Sequence, residues 1–260
     1  MLLLHGLLAT GDAFGASYDA LAATRRVVVP DLLGFGRSLD EDRTDFGPDQ
    51  HLDALDDALH HFHVTDDPVI VGAHSMGAAV ALRWAARHPQ LVERIVCWGP
   101  PLYPADSTVR AALADTGTLA RLFATDTPLA RRLCAWSCRH RQLAGWITAL
   151  TTPALPSPIA RSSPLHTWPA YRAAIDELVL ATRWESLIHQ LAEQGIGIRL
   201  VWGARDTIGD QALGRSLAAA HPLVEVETIA GAGHHLPLTH PGICIAQLTA
   251  ASHVTRHDRA

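Results

Sequence analysis

Eleven residues, Val69-Ile-Val-Gly-Ala-His-Ser-Met-Gly-Ala-Ala79, constrain the fold more than any other stretch. An apolar run that reads as a buried strand ends at a serine, and an alanine-rich helical pattern begins at once. A chain can reverse that sharply only if the residues two before and two after the turn are small, because strand and helix nearly touch there. Ala73 and Gly77 meet that demand, Ala73 with one methyl more than the usual glycine. The strained turn lifts the Ser75 hydroxyl clear of the sheet, so Ser75 is the candidate nucleophile.

The surroundings fit that reading. Apolar runs recur at Leu2–Leu4, Val27–Val29, Val69–Val71, Ile95–Trp98, Ile198–Trp202 and Val224–Ile229. Most are apolar throughout, the mark of strands covered on both faces and hence of a parallel sheet. Helical patterns alternate with them at Asp49–Phe62, Ala78–Arg87 and Gln211–Ala220. The expected fold class is α/β, with a doubly wound, mostly parallel sheet. The alternation breaks between about residues 100 and 194, where Ala, Leu, Arg and Trp dominate and helices are expected at Val109–Phe123, Pro128–Leu150 and Pro169–Leu191. The expected organisation is therefore a core of residues 1–99 and 195–260 carrying a helical cap at 100–194.

A serine needs a base, and the base needs an acid to fix its tautomer. Ala230-Gly-Ala-Gly-His-His-Leu-Pro237 supplies His234 directly after a glycine turn, with His235 as its competitor. Val201-Trp-Gly-Ala-Arg-Asp206 ends a strand and offers Asp206, whose plain alternative is a helix cap. The chain order is Ser75, Asp206, His234. An oxyanion would take the backbone N–H groups of Met76 and of Leu7, the latter in the loop opened by Gly6 and braced by His5.

Other signals exclude more than they assign. All 21 basic residues are arginine, so no lysine can form a Schiff base. A net charge of -5 without a basic stripe gives no nucleic-acid footprint. No apolar run approaches the roughly 20 residues of a membrane span, and the apolar start at Leu2–Leu4 and Leu7–Leu8 has no basic residue before it to make a secretory signal, so a cytoplasmic location is expected. Cys97, Cys134, Cys138 and Cys244 make no CxxC pair; Cys134 and Cys138 fall on one helix face and read as a buried apolar pair rather than a metal or redox site. His60, His61 and His63 read as a polar helix tail. Neither metal nor organic cofactor is called for, and the expected partner is a small molecule.

His5-Gly6, Pro30-Asp-Leu-Leu-Gly-Phe-Gly-Arg-Ser38, Ala73-His-Ser-Met-Gly77, Trp202-Gly-Ala-Arg-Asp206 and Gly231-Ala-Gly-His234 together resemble the α/β-hydrolase superfamily, in its capped branch of small esterases and lactonases. The resemblance covers residues 1–99 and 195–250. It implies a serine hydrolase that cleaves an ester, lactone or related carbonyl bond through an acyl-enzyme. Acyl transfer, C–C bond hydrolysis and a ligand-binding receptor on the same fold stay open as alternatives. Dehalogenases and epoxide hydrolases carry Asp where this chain has Ser75. Proline iminopeptidases carry a glycine-proline loop where it reads His5-Gly-Leu-Leu-Ala9, and C–C hydrolases usually carry Trp where it has His235. Cap tryptophans Trp168 and Trp184, with His235, are the expected substrate contacts. The resemblance also implies about two strands ahead of Leu2–Leu4. The expectation is a coding region that extends upstream, or a form that is poorly soluble and weakly active.

Overall fold

The computed structural model describes residues 1–64, 67–104, 127–153 and 155–250. Five parallel strands form one sheet in the order β1 (Leu2–Leu4), β2 (Val69–His74), β3 (Val92–Trp98), β4 (Gly197–Gly203) and β5 (Val224–Ile229). The expected strand at Val27–Val29 is a single parallel bridge, Leu2 to Val28, on the outer side of β1. Leu3 N–H donates to the Val28 carbonyl and Val28 N–H to that of Met1, both at 2.9 Å. The next rung would need an N–H from Pro30, which has none.

This connectivity opens a crevice. After β1 the chain moves to the Val28 side, then returns to form β2 on the opposite side of β1. Loops at the carboxyl ends of β1 and β2 therefore diverge, the place where open α/β sheets bind ligands.

Alternation along the strands feeds two cores. Leu2, Leu4, Val71, Ala73, Ile95, Leu200 and Trp202 face one layer, whereas Leu3, Ile70, Val96, Trp98 and Val201 face the other. The first layer holds α1 (Pro48–His61) and α2 (Met76–Arg87). The second holds Phe14, Tyr18, Leu236 and Cys244. Two of the buried tryptophans have bonded polar tips: Trp98 Nε1–H donates to Gln247 Oε1 at 2.8 Å and Trp84 Nε1–H to Asp56 Oδ1 at 2.7 Å.

Between β3 and β4 stand α3 (Pro128–Arg139), α4 (Arg141–Thr151), α5 (Ser157–Ser162), α6 (Trp168–Ala173, running on as a π-helical stretch Ala174–Leu180) and α7 (Trp184–Glu193). Two expected helices are thus interrupted. Pro128–Leu150 breaks at His140, whose φ of -117° and ψ of 43° are not helical. Pro169–Leu191 breaks at residues 181–183, just before Trp184. Helical propensity continues through both points, so residue preference alone marks neither break. The helix expected at Val109–Phe123 lies outside the described residues. After β4 come α8 (Gln211–Ala220), then α9 (Leu236–Thr239) and α10 (Pro241–Thr249) beyond β5. Among the described residues no helix is long and apolar enough to cross a membrane.

Strand and helix approach closely at Gly77, where a Cβ would lie 2.6 Å from the carbonyl oxygens of both Leu4 and His5. Gly77→Ala is expected to lower stability by about 2–3 kcal/mol. Gly242→Ala, whose added Cβ meets nothing within 4 Å, should change it by less than about 0.5 kcal/mol. Urea denaturation of the two variants measures the difference.

A second expectation concerns His51, buried on α1 with both ring nitrogens unpartnered among the described residues. Burial first, then the nearby His5 and Arg43, hold its pKa down at about 4, against 6.5 ordinarily. The folded state thus keeps His51 neutral, and its contribution is present above pH 6.5 and lost as pH falls toward 4. His51→Leu should remove roughly 2 kcal/mol of the stability lost between pH 7 and pH 5, as read from denaturation midpoints at the two pH values.

Candidate active site

The strand-to-helix reversal falls where the sequence put it. Ser75 has φ 51° and ψ -122°, a conformation that side-chain-bearing residues rarely adopt. Ser75 N–H donates to the Trp98 carbonyl at 2.9 Å, and the Ser75 carbonyl accepts from Ala78 N–H at 2.9 Å, so neighbours on both sides hold the turn. Ala73 is fully buried.

Three side chains from three loops then meet. His234 Nε2 lies 3.0 Å from Ser75 Oγ, and His234 Nδ1 lies 2.9 Å from Asp206 Oδ2. The Asp206 carboxylate is buried, and its other oxygen accepts from Ile208 N–H at 2.9 Å. Nδ1 therefore donates to Asp206, leaving the Nε2 lone pair for the serine hydroxyl. Asp206 stands well before α8, whose cap is Asp210, so the helix-cap alternative falls away.

His5 braces its loop as expected. Leu32 N–H donates to His5 Nε2 at 2.8 Å, so Nδ1 carries the proton and donates to the Gly6 carbonyl, also at 2.8 Å. Burial keeps this imidazole neutral, its pKa lowered. Gly6 brings the loop against Ser75: a Cβ there would be 3.0 Å from Ser75 Cβ. Leu7 follows in the same loop, and Met76 is the first residue of α2.

Several working residues escaped the sequence reading. A Cβ on Gly99 would lie 2.9 Å from His234 Nδ1 and 3.0 Å from Asp206 Oδ2, and its φ of 56° suits glycine. A glycine after β3 leaves room for His234 and Asp206 to meet, and its position in Trp98-Gly-Pro was the available signal. His74 Nε2–H donates to the His234 carbonyl at 3.0 Å, tying the base loop to the elbow. Desolvation, then His234 and His235, hold the His74 pKa well below its ordinary value. Asp31 accepts from Gly11 N–H at 2.6 Å and from Arg37 N–H at 2.7 Å, so the Pro30–Ser38 motif pins the loop that follows Leu7.

A cavity of about 390 Å³ opens beside the elbow. Leu7, Phe14, His74, Leu155, Ile159 and His235 are among its walls. Of the three expected substrate contacts, His235 lines it. Trp184 does not: it is buried in the core with Ile188 and Leu191. Trp168 also lies off the cavity, its ring 5.9 Å from that of Tyr171 and 5.9 Å from the Arg172 guanidinium. The residues between β3 and β4 that line the cavity, Cys134, Thr148 and Ile159 among them, are smaller.

The sequence profile of the α/β-hydrolase-fold family matches residues 1–241, and the chain belongs to that family. Among curated relatives, the magnesium-chelatase 30 kDa subunit of Rhodobacter capsulatus is 42% identical over 96 residues, 37% of this chain and 32% of that protein. The probable lysophospholipase BODYGUARD 4 of Arabidopsis thaliana is 27% identical over 229 residues, 80% of this chain and 52% of that protein. The matches thus span about a third and about half of those relatives. A carboxylesterase structure from Nitrososphaera gargenis superposes with a TM-score of 0.69 at 15% identity, covering 95% of this chain and 87% of that one.

Gly99→Ala should separate His234 from Asp206 without unfolding the sheet. Labelling of Ser75 by a fluorophosphonate is expected to slow about 100-fold, with an unchanged circular dichroism spectrum.

Proposed function

We propose that the protein is a serine hydrolase that cleaves an ester, lactone or related carbonyl bond of a small, mostly apolar substrate through an acyl-enzyme. The observation that carries this reading is the unbroken line from Asp206 Oδ2 through His234 to Ser75 Oγ, with contacts of 2.9 and 3.0 Å, on a positive-φ turn. The family and its esterase-like relatives support it.

In this mechanism His234 Nε2 takes the Ser75 proton as Oγ attacks the carbonyl carbon. The imidazolium is stabilised by the buried Asp206 carboxylate at Nδ1. Negative charge on the carbonyl oxygen is met by the N–H groups of Met76, at the start of α2, and of Leu7. His234 then protonates the leaving oxygen, and a water repeats the sequence on the acyl group.

The cavity suits a small ligand, since pockets of about 300–1,000 Å³ are usual for such sites. Its mostly aliphatic and aromatic walls favour an apolar acyl or alkyl part. We assign residues 100–194 as the cap, with the substrate face supplied by α3, α4 and α5, because α7 packs beneath against α2.

A panel of p-nitrophenyl esters and lactones, with fluorophosphonate labelling, tests the proposal. Ser75→Ala should abolish labelling and most turnover. His234→Ala and Asp206→Asn should each lower kcat by about 10³- to 10⁴-fold, His235→Ala by far less. Ser75→Ala turning over at the wild-type rate would sink the mechanism. Ile159→Trp should shift preference toward shorter acyl chains, whereas Trp168→Ala should leave it unchanged.

A further inference from the structure

Away from the serine, α3 carries two thiols on one face. Cys134 and Cys138 are four residues apart, with their Sγ atoms 3.7 Å from each other. His166, between α5 and α6, brings Nε2 to 3.7 Å from Cys134 Sγ. Its Nδ1–H donates to the Ser163 carbonyl at 2.8 Å, which leaves the Nε2 lone pair directed at the thiols. All three donor atoms lie within 4.8 Å of one another.

These separations can be set against the demands of a cation. Tetrahedral zinc, with Zn–S near 2.3 Å and Zn–N near 2.0–2.1 Å, holds two sulfurs about 3.8 Å apart and a sulfur and nitrogen about 3.6 Å apart. The observed spacings are close to both. A backbone carbonyl on the far imidazole nitrogen is also the usual way a metal-binding histidine is oriented. A disulfide fits less well: on a helix, Cβ atoms four residues apart are about 5–6 Å from each other, whereas a disulfide needs about 3.5–4.5 Å.

We propose that Cys134, Cys138 and His166 bind one zinc-class divalent cation, with its fourth position toward the cavity that Cys134 and His166 help to line. Two thiolates and a neutral imidazole would neutralise the ion. Arg141, the nearest cation on the adjoining helix, is paired with Glu41 at 2.6 Å. Binding expels both thiol protons to solvent, including the one that Cys138 donates to the His166 carbonyl at 3.0 Å. The ion would tie α3 to the His166 loop, which is itself bridged to Phe35, and so stiffen one wall of the cavity. None of the three donors belongs to the Ser75, His234 and Asp206 set, so the site stands or falls independently of the proposed hydrolysis.

The test is metal titration of the reduced, metal-stripped full chain. Cobalt(II) should give thiolate-to-metal absorption and the intense visible bands of a tetrahedral ion at one equivalent per chain. Zinc should then displace it, shield two of the four cysteines from dithiobis(nitrobenzoate) and raise the melting temperature. Cys134→Ser and Cys138→Ser should each weaken zinc binding by about 100-fold or more, while Cys244→Ala binds as wild type; circular dichroism confirms that each variant is folded. Three results would each overturn the site. They are cobalt spectra without thiolate absorption, zinc affinity unchanged in the Cys134→Ser/Cys138→Ser double variant, or a Cys134–Cys138 disulfide that forms in air and persists when zinc is present.

Discussion

At Ser75 a buried strand hands over to a helix within one residue, and the backbone oxygens of Leu4 and His5, at the end of β1, occupy the space a side chain on Gly77 would fill. Everything at the site is registered to that contact. It holds α2 against the ends of β1 and β2, with Ser75 at a positive φ and Met76 opening the helix beside it. The strain is sustained because the turn is bonded on both sides, to Trp98 and to Ala78, and because α2 is buried along most of its length.

The other parts reach Ser75 by loops, and loops need bracing. His5 and Asp31 do this for the segment after β1, each with two bonds to backbone groups. His74 does it for the segment that carries His234. Gly99 contributes by having no side chain, so that Asp206 and His234 close to 2.9 Å. Burial favours the neutral forms of His5 and His74, whose pKa values are lowered. Their hydrogen-bond roles are thereby fixed, and among the described residues the imidazole bonded to the Ser75 hydroxyl is that of His234.

Above the sheet, the helices between β3 and β4 divide in two. Residues from Ala174 through α7 pack beneath α2 and belong energetically to the core, with Leu178, Trp184, Ile188 and Leu191 buried. Helices α3 to α5 face the cavity instead, contributing Cys134, Thr148 and Ile159 to its wall. The same segment therefore adds to the buried core at one end and to the cavity wall at the other.

The elbow, the order Ser75, Asp206, His234, and the two-faced parallel sheet were determined by the sequence alone, because each rests on local rules. Small residues must flank a tight turn, strand side chains alternate, and glycines must precede a histidine that enters a crowded site. Val27–Val29 had the residues of a strand, and a single proline stopped the ladder, a rule that works only once the neighbouring strand is known. Trp168 and Trp184 had the composition of a binding surface, but amphipathic patterning says that a face is buried and not against what. Gly99, His74 and the grouping of His166 with Cys134 and Cys138 were decided by tertiary structure, since each acts on residues from about 28 to about 160 positions away and no local pattern encodes such a meeting.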